Sequence, residues 1–208
     1  MTANSGALRR SRRHLAAALA VVAVLLGVAA TVSAQAETPT PTASPTPQCP
    51  VLPEEGCRTP IQPHKAVLVI QDRGTFTQIF WKWIKGAATA PSDFGNPIGT
   101  TAYDFCIYDG TPQPVFEFHL PPCMDCWKST KTGFGVIPTS LYAKLLLRAG
   151  SDGHPKIVMR RPSADPLPLT SWALPVRVQL TNSAGVCWEA VYSAPIEQSA
   201  QKFRAKAD

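Results

Sequence analysis

The sequence predicts an all-β protein: an antiparallel two-sheet sandwich of about eight strands, held by disulfides and delivered outside the cytoplasm. Three observations predict it. Residues 1–36 have the layout of an export signal. The six cysteines are an even number, and in an exported chain that points first to disulfide bonds. From Cys57 onward, short β-branched and aromatic runs are separated by Gly, Pro, Asn and Asp, with no long amphipathic helix between them.

Arg9, Arg10, Arg12 and Arg13 precede an unbroken apolar run from Leu15 to Ala30, and Ala34-Gln35-Ala36 supplies an A-x-A cleavage site. Ser11-Arg12-Arg13-His14-Leu15 also fits a twin-arginine signal, with the general secretory route as the alternative. The run is shorter than the ~20 apolar residues a spanning helix prefers, so cleavage is expected and no membrane span after it. The address is therefore periplasmic or extracellular. Residues 37–56 follow, rich in proline and threonine, as a disordered stalk with extended polyproline-like character. The sandwich domain is expected over residues 57–208.

Formal charge is +6, but the signal carries four arginines and no acid, so the rest of the chain holds 16 basic and 14 acidic residues. That balance gives no electrostatic footprint for nucleic acid, which needs a clustered basic face. A monomer is expected.

Along the domain, Ala66 to Gln71 is apolar on both faces, as in a central strand. Phe76 to Ile84 puts Ile79, Trp81 and Trp83 on one face and Phe80, Lys82 and Ile84 on the other. Tyr103 to Tyr108 sets Tyr103, Phe105 and Ile107 against Asp104, Cys106 and Tyr108, and Val115 to Leu120 alternates likewise. Leu141 to Arg148 and Pro155 to Arg160 flank a Gly/Asp-containing hairpin loop. Val176, Val178 and Leu180 face inward, and Asn182 to Gly185 turns into Val186 to Tyr192. Short connections require antiparallel pairing. Gln198 to Lys206 reads as a short terminal helix or a fraying end.

The segments Trp81-Lys82-Trp83-Ile84-Lys85-Gly86, Phe94-Gly95-Asn96-Pro97, Tyr103-Asp104-Phe105-Cys106-Ile107-Tyr108-Asp109, Cys126-Trp127, Pro175 to Asn182 and Cys187-Trp188-Glu189 carry a resemblance. The chain resembles a group of uncharacterised exported bacterial proteins over most of residues 57–193. The resemblance implies the extent of the domain and no activity.

Six cysteines allow fifteen pairings. The favoured set is Cys106 with Cys187, Cys123 with Cys126, and Cys49 with Cys57; Cys57 reaching Cys123 or Cys126 is the alternative. Cys123-Met124-Asp125-Cys126 has redox spacing, but an oxidoreductase needs its first cysteine at a helix N-terminus, and Pro121-Pro122 precede it here. His119 could join Cys123 in a soft-metal site that lacks a fourth ligand. The sequence therefore assigns no metal and no cofactor.

No H-E-x-x-H, G-x-S-x-G or Walker loop is present. His64, His119 and His154 are the histidines outside the signal, and no nucleophile stands beside them in sequence. Aromatic residues remain. Trp81 and Trp83 share a strand face and Trp172 follows a Pro-rich loop, a pattern that suits stacking on sugar rings or an apolar partner. Core packing is the competing assignment, most of all for Trp127 and Trp188. The expected function is a non-catalytic binding or structural module for a cell-surface polysaccharide or protein. A small extracytoplasmic hydrolase is the alternative, and thiol redox or metal handling at Cys123/Cys126 is third.

Overall fold

The computed structural model describes residues 49–111, 113–137 and 143–208. The export signal and residues 37–48 of the stalk lie outside the described residues. Among the described residues the regular secondary structure is almost all strand. In chain order the strands are β1 (Ala66–Asp72), β2 (Thr77–Ile84), β3 (Tyr103–Tyr108), β4 (Pro114–Leu120), β5 (Trp127–Thr130) and β6 (Gly133–Val136). They continue as β7 (Lys144–Arg148), β8 (Lys156–Ser163), β9 (Val176–Asn182), β10 (Cys187–Tyr192), β11 (Pro195–Gln198) and β12 (Lys202–Lys206). One 3₁₀ turn, Pro91–Phe94, lies between β2 and β3.

Two sheets form, as the spacing predicts. The larger runs β11-β12-β1-β2-β8-β7-β6-β5 and the smaller β10-β9-β3-β4. Every neighbouring pair in both sheets is antiparallel. Alternation drives this arrangement. In β2 the burial pattern is strictly period two, with Ile79, Trp81 and Trp83 fully buried. Leu68 and Ile70 of β1, Ile157 and Met159 of β8, and Phe105 and Ile107 of β3 complete the same inter-sheet core. Gly86 follows Trp83 for a steric reason: a Cβ there would lie 1.8 Å from the Trp83 ring.

Strand β3 is buried on its second face too, and the cover is the segment expected to end the stalk. Cys49 is bonded to Cys106, and the two form a small second core with Tyr108. The Tyr108 hydroxyl donates to the Pro50 carbonyl at 3.0 Å. Gln179 is fully buried; its amide donates to the Glu54 carbonyl at 2.7 Å while its carbonyl accepts from the Glu54 N–H at 2.9 Å. Residues 49–56 are therefore a strap tied across the outer face of the small sheet. A buried glutamine so satisfied fixes the strap's register, since a slip would strand its donors.

Several expectations change. The disulfides are Cys49–Cys106, Cys57–Cys187 and Cys123–Cys126, so the favoured partners of Cys106 and Cys187 give way to the strap cysteines. The reason is the strap itself, which brings both N-terminal cysteines onto the sheet face. Gln198 to Lys206 is not helical: β12 pairs with β1, because Phe203, Ala205 and Ala207 are buried at a spacing of two. Strands β6 and β11, both four residues long, have too little apolar alternation to be recognised in sequence.

Candidate functional site

The aromatic candidates fold inward. Trp81 and Trp83 are fully buried, and Trp172 is 4% exposed against Phe203. Trp81 Nε1 donates to the Tyr192 hydroxyl at 3.0 Å, and Trp83 Nε1 donates to the Glu189 carbonyl at 2.9 Å. A stacking platform on these three side chains is thereby corrected to core packing. Trp127 and Trp188 are buried as well, against Tyr103 and Phe94.

Cys123 and Cys126 close a turn that leads into β5, and Cys126 is buried with its N–H donating back to the Cys123 carbonyl at 3.3 Å. No helix begins there to stabilise a thiolate. With both sulfurs in that bond, neither is a thiolate ligand for a metal. Among the described residues no three His, Cys, Asp or Glu side chains gather as a metal site.

The three histidines stand apart. His64 Nδ1 lies 3.0 Å from the Ala207 carbonyl, so that nitrogen carries the proton. It lines an open cleft of about 410 Å³ with Ile196, Lys206 and Asp208. His154 lies in the β7–β8 hairpin loop near the Ser151 hydroxyl. His119 Nδ1 and Asp104 Oδ1 are 2.7 Å apart on the outer face of the small sheet. Among the described residues no hydroxyl or thiol is bonded to the other nitrogen of that ring, so the nucleophile of a triad is not assembled.

Asp109 is a heavily bonded carboxylate. It accepts from the Thr111 N–H, the Thr111 hydroxyl and the Ala173 N–H, tying the end of β3 to the loop before β9. Desolvation pushes its pKa up, but the Thr111 hydroxyl and the backbone N–H groups of Ala173, Thr111 and Asp109 itself outweigh that and hold it below the usual carboxylate value. The ionised form therefore adds stability above the unfolded-state pKa, and that stability is lost as pH falls through the folded-state pKa. Asp109→Asn is expected to cost about 2 kcal/mol at neutral pH. Chemical denaturation from pH 7 down to pH 2 checks it: the variant and parent curves converge in acid.

The two outer faces differ sharply in charge. On the small sheet the strap and strands bring together Glu54, Asp104, Glu117 and Glu189, with Arg177 held by Glu189 at 3.1 Å. Burial, followed by the nearby Glu54, Glu117 and Asp104 charges, pushes the Tyr108 hydroxyl up to about 12.

The outer face of the large sheet is basic. Cross-strand register places Lys206, Val67, Lys82, Val158 and Leu146 in one row, and Arg204, Val69, Phe80, Arg160 and Lys144 in the next. A third row holds Ile84, Lys156 and Arg148, and a fourth Lys202, Gln71, Gln78 and Pro162. Between strand ends no acid occupies an outward position on β12, β1, β2, β8 or β7, while on the edge strand β11 Glu197 stands directly opposite Arg204. Among the described residues only Lys202 of these eight cations has an acidic partner, Glu197 at 2.7 Å.

Two like-charged pairs stand directly opposite each other across strands: Lys144 with Arg160, and Arg148 with Lys156. Such pairs destabilise a sheet. Arg160 lies 5.6 Å over the Phe80 ring, which fixes its guanidinium on the surface.

The overall charge balance concealed this face. Each strand carries it locally, as in Lys144-Leu145-Leu146-Leu147-Arg148 and Lys202-Phe203-Arg204-Ala205-Lys206. Summing outward positions across strands needs the strand order, which the sequence does not supply. Comparison with family models, curated proteins and solved structures finds no match for this chain.

Proposed function

We propose that this chain is an exported, non-catalytic binding module whose basic sheet face docks onto an anionic partner at the cell surface. The observation that carries the reading is the set of seven cations that have no ion-pair partner among the described residues, two pairs of them directly opposed, on one face of the large sheet. Fixed like charges raise the energy of the free protein and attract a polyanion, so binding relieves a cost the fold already bears. Three disulfides suit an oxidising compartment, and no helix among the described residues is long and apolar enough to cross a membrane. The export signal and the likeness to exported bacterial proteins support the same address.

The strap complements this arrangement. Its Cys49 is bonded to Cys106 on the outer face of the small sheet, the face opposite the cations. The experiment is retention of the disulfide-intact protein on an immobilised polyanion across a salt gradient. Elution well above the salt that releases a control protein of net charge +2 is expected, because clustered charge binds more strongly than dispersed charge. Elution with that control contradicts the proposal.

A further inference from the structure

Resting on that reading, we infer that the partner is a linear acidic polysaccharide that lies in a trough between two cationic ridges. One ridge is Arg204 and Lys206 on β12. The other is Lys82 on β2, Lys156 and Arg160 on β8, and Lys144 and Arg148 on β7. Between them β1 turns Val67 and Val69 outward, both half-buried. With strands about 4.8 Å apart, Arg204 and Arg160 stand roughly 14 Å apart across a floor of Val69 and Phe80, while Lys206 and Lys82 are separated by Val67 alone.

The geometry selects among polyanions. Valine side chains are much shorter than the lysines and arginines beside them, so the floor cannot reach the hydrocarbon of a bilayer while the cations meet its headgroups. Sequence-specific reading of a duplex uses an element that enters a groove, and this face is a sheet with no projecting helix or ribbon, which leaves a duplex only the phosphate contacts that the DNA arm of the test measures. Single-stranded nucleic acid needs exposed rings to stack on, yet Phe80, the one aromatic in these rows, lies beneath Arg160. Sugar rings offer what the trough fits: C–H faces to lie on valines, and carboxylate or sulfate groups at intervals to meet either ridge.

The experiment measures binding of the full disulfide-intact chain to heparin, polygalacturonate, neutral dextran, linear polyphosphate, duplex DNA and phosphatidylglycerol vesicles, at matched anion concentration. Three variants accompany it: Lys144→Gln/Lys156→Gln/Arg160→Gln, Arg204→Gln/Lys206→Gln, and Val67→Ser/Val69→Ser. Arg73→Gln, in the β1–β2 loop, is the control substitution, and near-ultraviolet circular dichroism checks folding.

The inference expects heparin or polygalacturonate to bind most tightly and dextran not at all. Each ridge variant should lose roughly tenfold or more at low salt. The valine variant should lose about fivefold for the glycan and little for polyphosphate. Preference for DNA or vesicles, equal affinity for every polyanion, or unchanged glycan binding in the ridge variants overturns the polysaccharide assignment and leaves the anionic-partner reading in place. Silence toward every polyanion at low salt overturns both.

Discussion

Trp81→Ala is expected to remove about 3–5 kcal/mol of folding stability, the range for deleting a large buried aromatic. The ring is fully buried, lies 5.7 Å from Phe105 across the two sheets, and donates a hydrogen bond to the Tyr192 hydroxyl. Three losses coincide: apolar transfer, an unfilled cavity and an orphaned buried hydroxyl. Tyr192 is itself fully buried, which also raises its pKa, so its hydroxyl oxygen loses its indole donor inside the core once Trp81 is gone. A domain with 5–15 kcal/mol to spare loses a large part of it. Urea denaturation followed by fluorescence checks this. A cost under about 1 kcal/mol would mean that the ring is not in the inter-sheet core.

Removing the Cys57–Cys187 bond, as Cys57→Ala/Cys187→Ala, is expected to have the other large effect. Its partners are 130 residues apart, and in the chain-entropy model a loop of that order contributes about 4–5 kcal/mol when no other bond shares it. The Cys49–Cys106 loop overlaps it, so the measured loss should fall below that bound. Locally, the bond holds the parallel bridge in which Arg58 N–H donates to the Cys187 carbonyl and Glu189 N–H donates to the Arg58 carbonyl. Those amides should exchange faster in the variant, along with Glu54. Cys123→Ala/Cys126→Ala spans only three positions and is expected to cost about 2 kcal/mol at most. The reverse ranking of the two variants, read from denaturation midpoints, would contradict the strap as a stabilising element.

Fold class was legible because alternation is a local signal. Val176, Val178 and Leu180 face inward as their spacing predicts, and Tyr103–Tyr108 is a strand over its whole expected length. The disulfide partners were not legible, because Cys49 sits within a proline-rich run that reads as stalk. What draws it onto the domain is Gln179 and Tyr108, more than a hundred and about sixty positions away from the strap residues they bind. The tryptophans show a related limit. Alternation separates Trp81 and Trp83 from Lys82, but which of the two faces meets the second sheet is a long-range matter that this strand's own residues do not decide. The basic face was hidden for the opposite reason: its parts were visible in five strands, and only their order brings them together.

In the proposed function the outer face of the large sheet, and not the strapped face, meets an anionic partner. Backbone amide chemical-shift mapping during titration with a short heparin oligosaccharide tests it most directly. The account predicts shifts concentrated on β1, β2, β7, β8 and β12, centred on Val67, Val69, Phe80, Arg160 and Arg204, with β3, β9 and residues 49–58 unmoved. Shifts centred on His119, Asp104 and the strap, or scattered evenly over both sheets, would contradict it.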